Sequence, residues 1–151
     1  MTPRILAVDV SGPRGGAAYL GPEGALLATL EASRGRDLIP SIERLLARAG
    51  VAAGRLDCVA CGVGPGSFTG IRIGVATASA LAFALDLPAI GLGSLHGIAE
   101  NAPPHAGSVL VAIDARRGNV FSGLFRREAG RLAEAGPYRN APPAEVARDL
   151  P

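Results

Sequence analysis

A glycine-rich segment that joins an apolar strand to a long apolar helix limits most strongly how this chain can fold. The segment reads Cys61-Gly-Val-Gly-Pro-Gly-Ser-Phe-Thr-Gly-Ile-Arg-Ile-Gly74. Residues 56–63 predict a buried strand, and the apolar run that follows the segment predicts a helix over residues 69–85. A strand that turns through glycines into a helix is typical of α/β folds, which often place functional sites at such connections.

The segment departs from the known phosphate-binding motifs. Unpaired N–H groups at a helix N-terminus attract anions, so a phosphate cradle is one interpretation. A P-loop needs a lysine after its last glycine, however, and all 15 basic residues here are arginines. The dinucleotide motif lacks its third glycine, because Ser67 or Thr69 stands at that position. We therefore favour a structural loop of Gly64, Pro65, Gly66, Ser67 and Thr69, in which Ser67 or Thr69 caps the helix.

Composition excludes several classes of function. Hydrophobic residues make up 48% of the chain and 21 of its 151 residues are glycines, which favours closely packed α/β layers with small aliphatic side chains. The formal net charge is only +2, and the arginines are scattered apart from the pairs Arg116-Arg117 and Arg126-Arg127. This pattern does not fit a stand-alone nucleic-acid-binding protein.

Targeting, membrane and metal signals are weak. The chain starts directly with a predicted strand and without the apolar stretch of a signal peptide, which predicts a cytoplasmic location. The apolar run 73–85 is shorter than the ~20 residues that span a membrane, so we expect no membrane association. Cys58 and Cys61 lie within a predicted strand, and no second cysteine pair exists to complete a metal site, so we expect buried core cysteines.

One pattern occurs in both halves of the chain. In each half an apolar strand ends in an aspartate, Asp9 or Asp114, and a glycine-containing turn then leads into a return strand. A third strand can be drawn in both, near Leu26 and near Leu132. We interpret this similarity as an internal duplication.

The duplication predicts the fold class. Pro103-Pro104 marks the boundary between copies, because consecutive prolines favour an extended linker, and the predicted domains are 1–102 and 103–151. The first copy predicts the order βββαβαβα, whereas the second is truncated to its strand-turn-strand pattern and a short helix over 144–150. By analogy this is the plan of the actin-like, ribonuclease-H-like (ASKHA) α/β fold.

Several segments together carry a family resemblance. They are residues 5–9, 38–40, 62–74 and 91–95, and Ala112-Ile-Asp-Ala-Arg116 followed by Gly118 and Val120. In this order they resemble the bacterial TsaB proteins of tRNA threonylcarbamoyladenosine biosynthesis, over most of the chain. The run 64–74 is the most specific of them.

The resemblance implies a non-catalytic scaffold subunit. TsaB-like proteins pair with the related catalytic subunit TsaD and, with the ATPase TsaE, support transfer of a threonylcarbamoyl group onto the adenosine beside the anticodon of certain tRNAs. It therefore implies TsaD-like and TsaE-like partners, a homodimer when the chain is alone, tRNA contact only through the complex, and no catalytic residue, cofactor or metal. His96 and His105 agree with this, because Pro103-Pro104 separates them and one helix cannot present both to a metal.

Enzyme functions are the alternative. Asp9 ends the first strand beside a glycine turn, where kinase-like proteins place a carboxylate for Mg²⁺, so an ATP-dependent phosphotransferase of the same fold is the runner-up. We favour an Asp9 that accepts hydrogen bonds from its own turn. A nuclease needs converging carboxylates, whereas Asp57 lies at the opposite end of its strand, and a serine hydrolase needs a glycine where Pro65 stands.

A stripe of small residues recurs every four positions along the long helix. Its members are Gly70, Gly74, Ala78 and Ala82, which share one side of the helix. Small side chains let another helix approach closely. We predict that the stripe is a partner interface used by a homodimer or, in competition, by the catalytic subunit; the alternative is internal packing against a neighbouring helix.

Overall fold

The computed structural model describes residues 2–24, 26–31 and 37–148, without the side chains of residues 28–31. The chain divides into two compact units, Met1–Leu92 and Gly93–Pro151. The predicted order βββαβαβα is confirmed, and further strands follow it. The division at Leu92 concerns compactness and does not test the boundary between sequence copies at residue 102, which stays a prediction.

The first unit is built on a five-stranded sheet. Its strands are β1 (Ile5–Asp9), β2 (Gly15–Leu20), β3 (Leu26–Glu31), β4 (Cys58–Gly62) and β5 (Ala89–Leu92), in the spatial order β3-β2-β1-β4-β5. The first three form an antiparallel meander, and β4 and β5 continue the sheet in parallel with β1. The central strand β1 therefore has a partner on each side.

Two helices cover one face of this sheet. They are α1 (Leu38–Ala49) and α2 (Phe68–Leu85). Helix α1 contacts β2 and β3, and helix α2 contacts β4 and β1. The buried residues of α1 recur at helical spacing and meet Leu6, Val8 and Val59 in one core. Gly50 ends α1 with φ 65°, a left-handed conformation that glycine adopts at little cost.

The second unit is an antiparallel sheet with two short helices. Its elements are α3 (Ser94–Ala99), β6 (Ser108–Arg116), β7 (Asn119–Glu128), β8 (Arg131–Glu134), β9 (Arg139–Ala141) and α4 (Pro143–Arg148). Strand β7 pairs with β6, β8 and β9, and Leu95 of α3 and Phe125 of β7 are fully buried in its core. The predicted third strand near Leu132 is present, whereas the last residues of the predicted helix 144–150 lie outside the described residues.

Candidate partner-binding helix and its glycine loop

Ser67, rather than Thr69, occupies the N-cap position of α2. Its backbone is extended, and its Oγ accepts a hydrogen bond from the Gly70 N–H at 3.3 Å. Thr69 already lies inside the helix. The Ser67 hydroxyl thus satisfies one of the donors that the first helical turn leaves unpaired.

The loop glycines allow the end of β1 to approach the start of α2. A Cβ on Gly66 would lie 2.5 Å from the Ser11 carbonyl oxygen, and a Cβ on Gly70 would overlap the Val10 carbonyl oxygen. The Ser67 N–H also donates to the Ser11 carbonyl oxygen at 2.7 Å. Because the chain's own backbone contacts the helix N-terminus so closely, this geometry favours a packing loop over a phosphate cradle.

The start of the loop has its own backbone requirement. Gly64 has φ 90°, a backbone conformation that residues with a Cβ rarely adopt, and Pro65 follows it through a cis peptide bond. Of the predicted loop residues, Gly64, Pro65, Gly66 and Ser67 therefore combine a positive-φ glycine, a close approach at Gly66 and a helix cap, whereas Thr69 belongs to the helix.

Asp9 serves the turn that follows its strand. Its Oδ1 accepts a hydrogen bond from the Ser11 N–H at 2.7 Å, which is the role expected for an aspartate at a strand end. Its carboxylate lies directly over Gly62, where a Cβ would clash with it. Asp114 repeats the first contact in the second unit, accepting from the Arg116 N–H at 2.7 Å. The shared geometry supports the internal duplication.

The thiol of Cys61 is held in its neutral form. Cys58 and Cys61 are free and buried, as predicted, and burial followed by the negative charge of Asp9 raises the pKa of Cys61 to about 11. A raised thiol pKa favours the neutral form in the folded state. The stabilisation it provides is therefore complete below pH 9.0, the ordinary value, and is lost as the pH rises through about 11.

We expect alkylation of Cys61 by iodoacetamide at pH 8 to be at least about tenfold slower in the native protein than in the urea-unfolded chain, because only the thiolate reacts. Peptide mass spectrometry after timed quenching measures both rates. Equal rates in the two states would contradict this account of Cys61.

The stripe of small residues faces the sheet. Gly70, Gly74, Ala78 and Ala82 are the buried residues of α2, and a Cβ on Gly74 would lie 3.1 Å from Cγ2 of Val10. This corrects the prediction that the stripe is a partner interface. The stripe packs internally instead, and Ala78 and Ala82 share one core with residues of the sheet and of α1. Small side chains are needed here because the strand backbone comes so close to the helix.

A different side of α2 is available to a partner. We define the outer face of α2 as Phe68, Arg72, Val75, Ser79 and Phe83, which share one side at helical spacing. Phe68 is 73% exposed and Phe83 is 91% exposed. The Arg72 guanidinium carbon lies 5.5 Å from the centroid of the Phe68 ring. The sequence signal for this face was that α2 is apolar on all sides, because a helix of that kind is normally covered by other protein on both sides.

The length and composition of α2 alone are sufficient for a membrane span, with 18 residues and a mean hydropathy of 1.5. The sequence prediction of an apolar run too short to span a membrane considered residues 73–85, whereas the helix extends over Phe68–Leu85. Core helices share this composition, and the stripe of α2 packs against the sheet of the first unit. The packing of α2 thus accounts for the apolar composition of its stripe, whereas Phe68 and Phe83 stay exposed.

The histidines are not arranged as metal ligands. His96 lies in α3, with its Nε2 3.6 Å from Oε1 of Glu100 and its ring beside Phe125, whereas His105 is exposed outside any helix or strand. Among the described residues, no group of three or more His, Cys, Asp or Glu side chains could hold a metal ion.

Solved structures confirm the fold class. YeaZ from Pseudomonas aeruginosa superposes with a TM-score of 0.87 at 35% identity, covering 94% of this chain and 68% of that one. A second structure, of an uncharacterized protein with similarity to peptidase YEAZ from the same organism, gives a TM-score of 0.90 at 35% identity, covering 99% and 71%. The fold is thus actin-like, ribonuclease-H-like α/β.

Sequence comparison gives the family. Residues 31–149 match the family described as TsaD, tRNA N6-adenosine threonylcarbamoyltransferase. The tRNA threonylcarbamoyladenosine biosynthesis protein TsaB of Bacillus subtilis is 34% identical over 90% of this chain and 61% of its own length. The TsaB protein of Haemophilus influenzae is 35% identical over 84% of this chain and 56% of its own length. The chain spans about three fifths of the length of these curated relatives. It belongs to the TsaD family, as a TsaB-like member.

Proposed function

We propose that this chain is a non-catalytic scaffold subunit in the formation of threonylcarbamoyladenosine in tRNA, and that it binds a TsaD-like catalytic subunit as a heterodimer. The observation that carries the proposal is the exposed apolar outer face of α2, in a chain whose relatives are named for this pathway. An apolar helix face of this kind is typical of a protein–protein contact.

The chemistry of the loop supports a non-catalytic role. The Ser67 hydroxyl caps α2 and one oxygen of Asp9 accepts a hydrogen bond within its turn. The phosphotransferase alternative needs room for a phosphate near Gly66 and Gly70, where the backbone of Ser11 and Val10 already packs. The residues that resemble catalytic groups are therefore engaged in holding the fold.

The outer face of α2 also supports a competition between partners. A second copy of the chain and the catalytic subunit would each bury Phe68 and Phe83, so one face cannot hold both at once. A homodimer then forms when the chain is alone, and it opens when the TsaD-like subunit binds. A TsaE-like ATPase joins this heterodimer in the cytoplasm, and tRNA meets the chain only within the complex.

Depletion of this protein in its own cell is expected to lower threonylcarbamoyladenosine in tRNA strongly, with other modified nucleosides unchanged. Nucleoside mass spectrometry of total tRNA measures both. Re-expression of the wild-type chain should restore the modification, whereas a chain with Phe68→Ser and Phe83→Ser should not. Unchanged threonylcarbamoyladenosine in a cell without a second copy of the gene would contradict the proposed function.

A further inference from the structure

Two arginines occupy left-handed backbone at the tip of the hairpin between β6 and β7. Arg116, Arg117 and Gly118 have φ values of 70°, 54° and 81°. The pair Arg116–Asn119 closes a two-residue turn over Arg117 and Gly118. Such a turn, with positive φ at both central positions, favours Asn, Asp or Gly there, since a larger side chain is crowded. Arginine is therefore an unfavourable choice for the fold at both positions, and its side chain is the candidate reason for its presence.

Hydrogen bonds of the neighbouring residues fix the backbone at the tip of the β6–β7 hairpin. Asp114 accepts the Arg116 N–H, and the pairing register shifts between these two residues. Across the sheet, Nδ2 of Asn119 donates to Oδ1 of Asn140 in β9 at 3.0 Å. These contacts fix the backbone from which both arginines project, so a ligand would order little more than the two side chains.

Both arginine side chains are open to solvent. Arg116, Arg117 and Gly118 are exposed, and within the described part of the chain neither guanidinium forms a hydrogen bond or an ion pair. Two other arginines of the same sheet are engaged: Arg127 donates to the carbonyl oxygens of Ala106 and Gly130, and Arg139 lies 3.3 Å from Glu145.

The corresponding turn of the first unit is enclosed instead. There Ser11, which donates its N–H to Asp9, packs against Gly66 and Ser67 of the loop before α2. The two copies therefore keep the same aspartate turn but use it differently. In the first unit it supports internal packing, and in the second it presents two cations to solvent.

We propose that Arg116 and Arg117 contact backbone phosphates of the tRNA held by the complex. The inference rests on the proposed function, which brings an RNA substrate to this chain. A planar guanidinium matches a pair of phosphate oxygens, and contacts of this kind position a nucleic acid without reading its sequence. The single carboxylate of Asp114 offsets only one of the two charges and is engaged with the turn backbone. A low overall charge agrees with a local contact that assists, rather than replaces, binding by the catalytic subunit.

The test measures tRNA binding by the assembled complex of this chain with its TsaD-like subunit. Fluorescence anisotropy with labelled, unmodified substrate tRNA is recorded over a series of salt concentrations. The variant Arg116→Ala with Arg117→Ala is expected to bind tRNA about tenfold more weakly. The slope of log affinity against log salt concentration should also fall, by the equivalent of about two phosphate contacts. The matched control is Arg126→Ala with Arg131→Ala, which removes the same charge from exposed positions of the same sheet and should change binding little.

A second variant separates charge from folding. Arg116→Gly with Arg117→Asn suits the left-handed backbone, so it should melt no lower than the wild type while binding tRNA as weakly as the alanine variant. Equal losses of tRNA affinity in the control and tip variants, or no loss in either, would overturn the inference. If the complex still assembles in that case, the proposed function stands. Loss of complex formation in the tip variants would assign the arginines to a protein contact, and loss of ATP binding with unchanged tRNA affinity would assign them to a nucleotide. Failure of the wild-type chains to assemble would overturn the proposed function itself.

Discussion

Replacement of Gly70 by alanine is expected to destabilise the first unit by about 3 kcal/mol, at the upper end for overpacking of a core. The added Cβ would overlap the carbonyl oxygen of Val10 and lie 2.9 Å from its carbonyl carbon. A backbone group cannot rotate away as a side chain can, so α2 or the end of β1 has to move. At this chain length the loss corresponds to a melting temperature lower by about 10 °C.

Gly97 provides a matched control for this substitution. It also lies in a helix, α3, but a Cβ there would meet nothing within 4 Å. Gly97→Ala should therefore stabilise the protein by about 0.5 to 1 kcal/mol, because alanine loses less backbone freedom in a helix. Urea and thermal unfolding followed by circular dichroism measure both variants. A Gly70→Ala variant as stable as the wild type would refute the close approach of α2 to β1.

The variant with Phe68→Ser and Phe83→Ser is expected to bind the TsaD-like subunit about a hundredfold more weakly, a loss of about 2.7 kcal/mol. Aromatic side chains that become buried in an interface contribute much of its binding energy, and Phe68 and Phe83 are the exposed aromatic residues of the outer face of α2. Because both are largely exposed in the isolated chain, their removal should leave the melting temperature nearly unchanged. Isothermal titration calorimetry gives the affinity, and sedimentation of the chain alone should show a monomer.

Leu110→Ser is the control for the loss of an exposed apolar side chain. Leu110 is 39% exposed and lies in β6, away from α2 in the sequence, so its replacement should leave partner affinity unchanged. If the outer-face variant bound the catalytic subunit with wild-type affinity, α2 would not be the docking helix. If it lost the homodimer but kept the heterodimer, the two partners would not share one face.

Local sequence patterns predicted the element order and several local roles. Alternation and helical periodicity depend on neighbouring residues, so β1 to β5 and α1 to α3 follow from the sequence alone. The hydrogen bond from the Ser11 N–H to Asp9 is equally local, since it joins residues two apart. The burial of Cys58 and Cys61 followed from their position within an apolar strand.

The tertiary structure alone decided which side of α2 meets the sheet. Spacing shows that Gly70, Gly74, Ala78 and Ala82 share a side, but it does not show what that side faces. In α2 the opposite sides are similarly apolar, so hydrophobicity cannot orient the helix. The backbone of Val10 does orient it, because only glycine fits where this strand end crosses the start of α2. That contact joins residues far apart in the sequence, and it turns Phe68 and Phe83 outward.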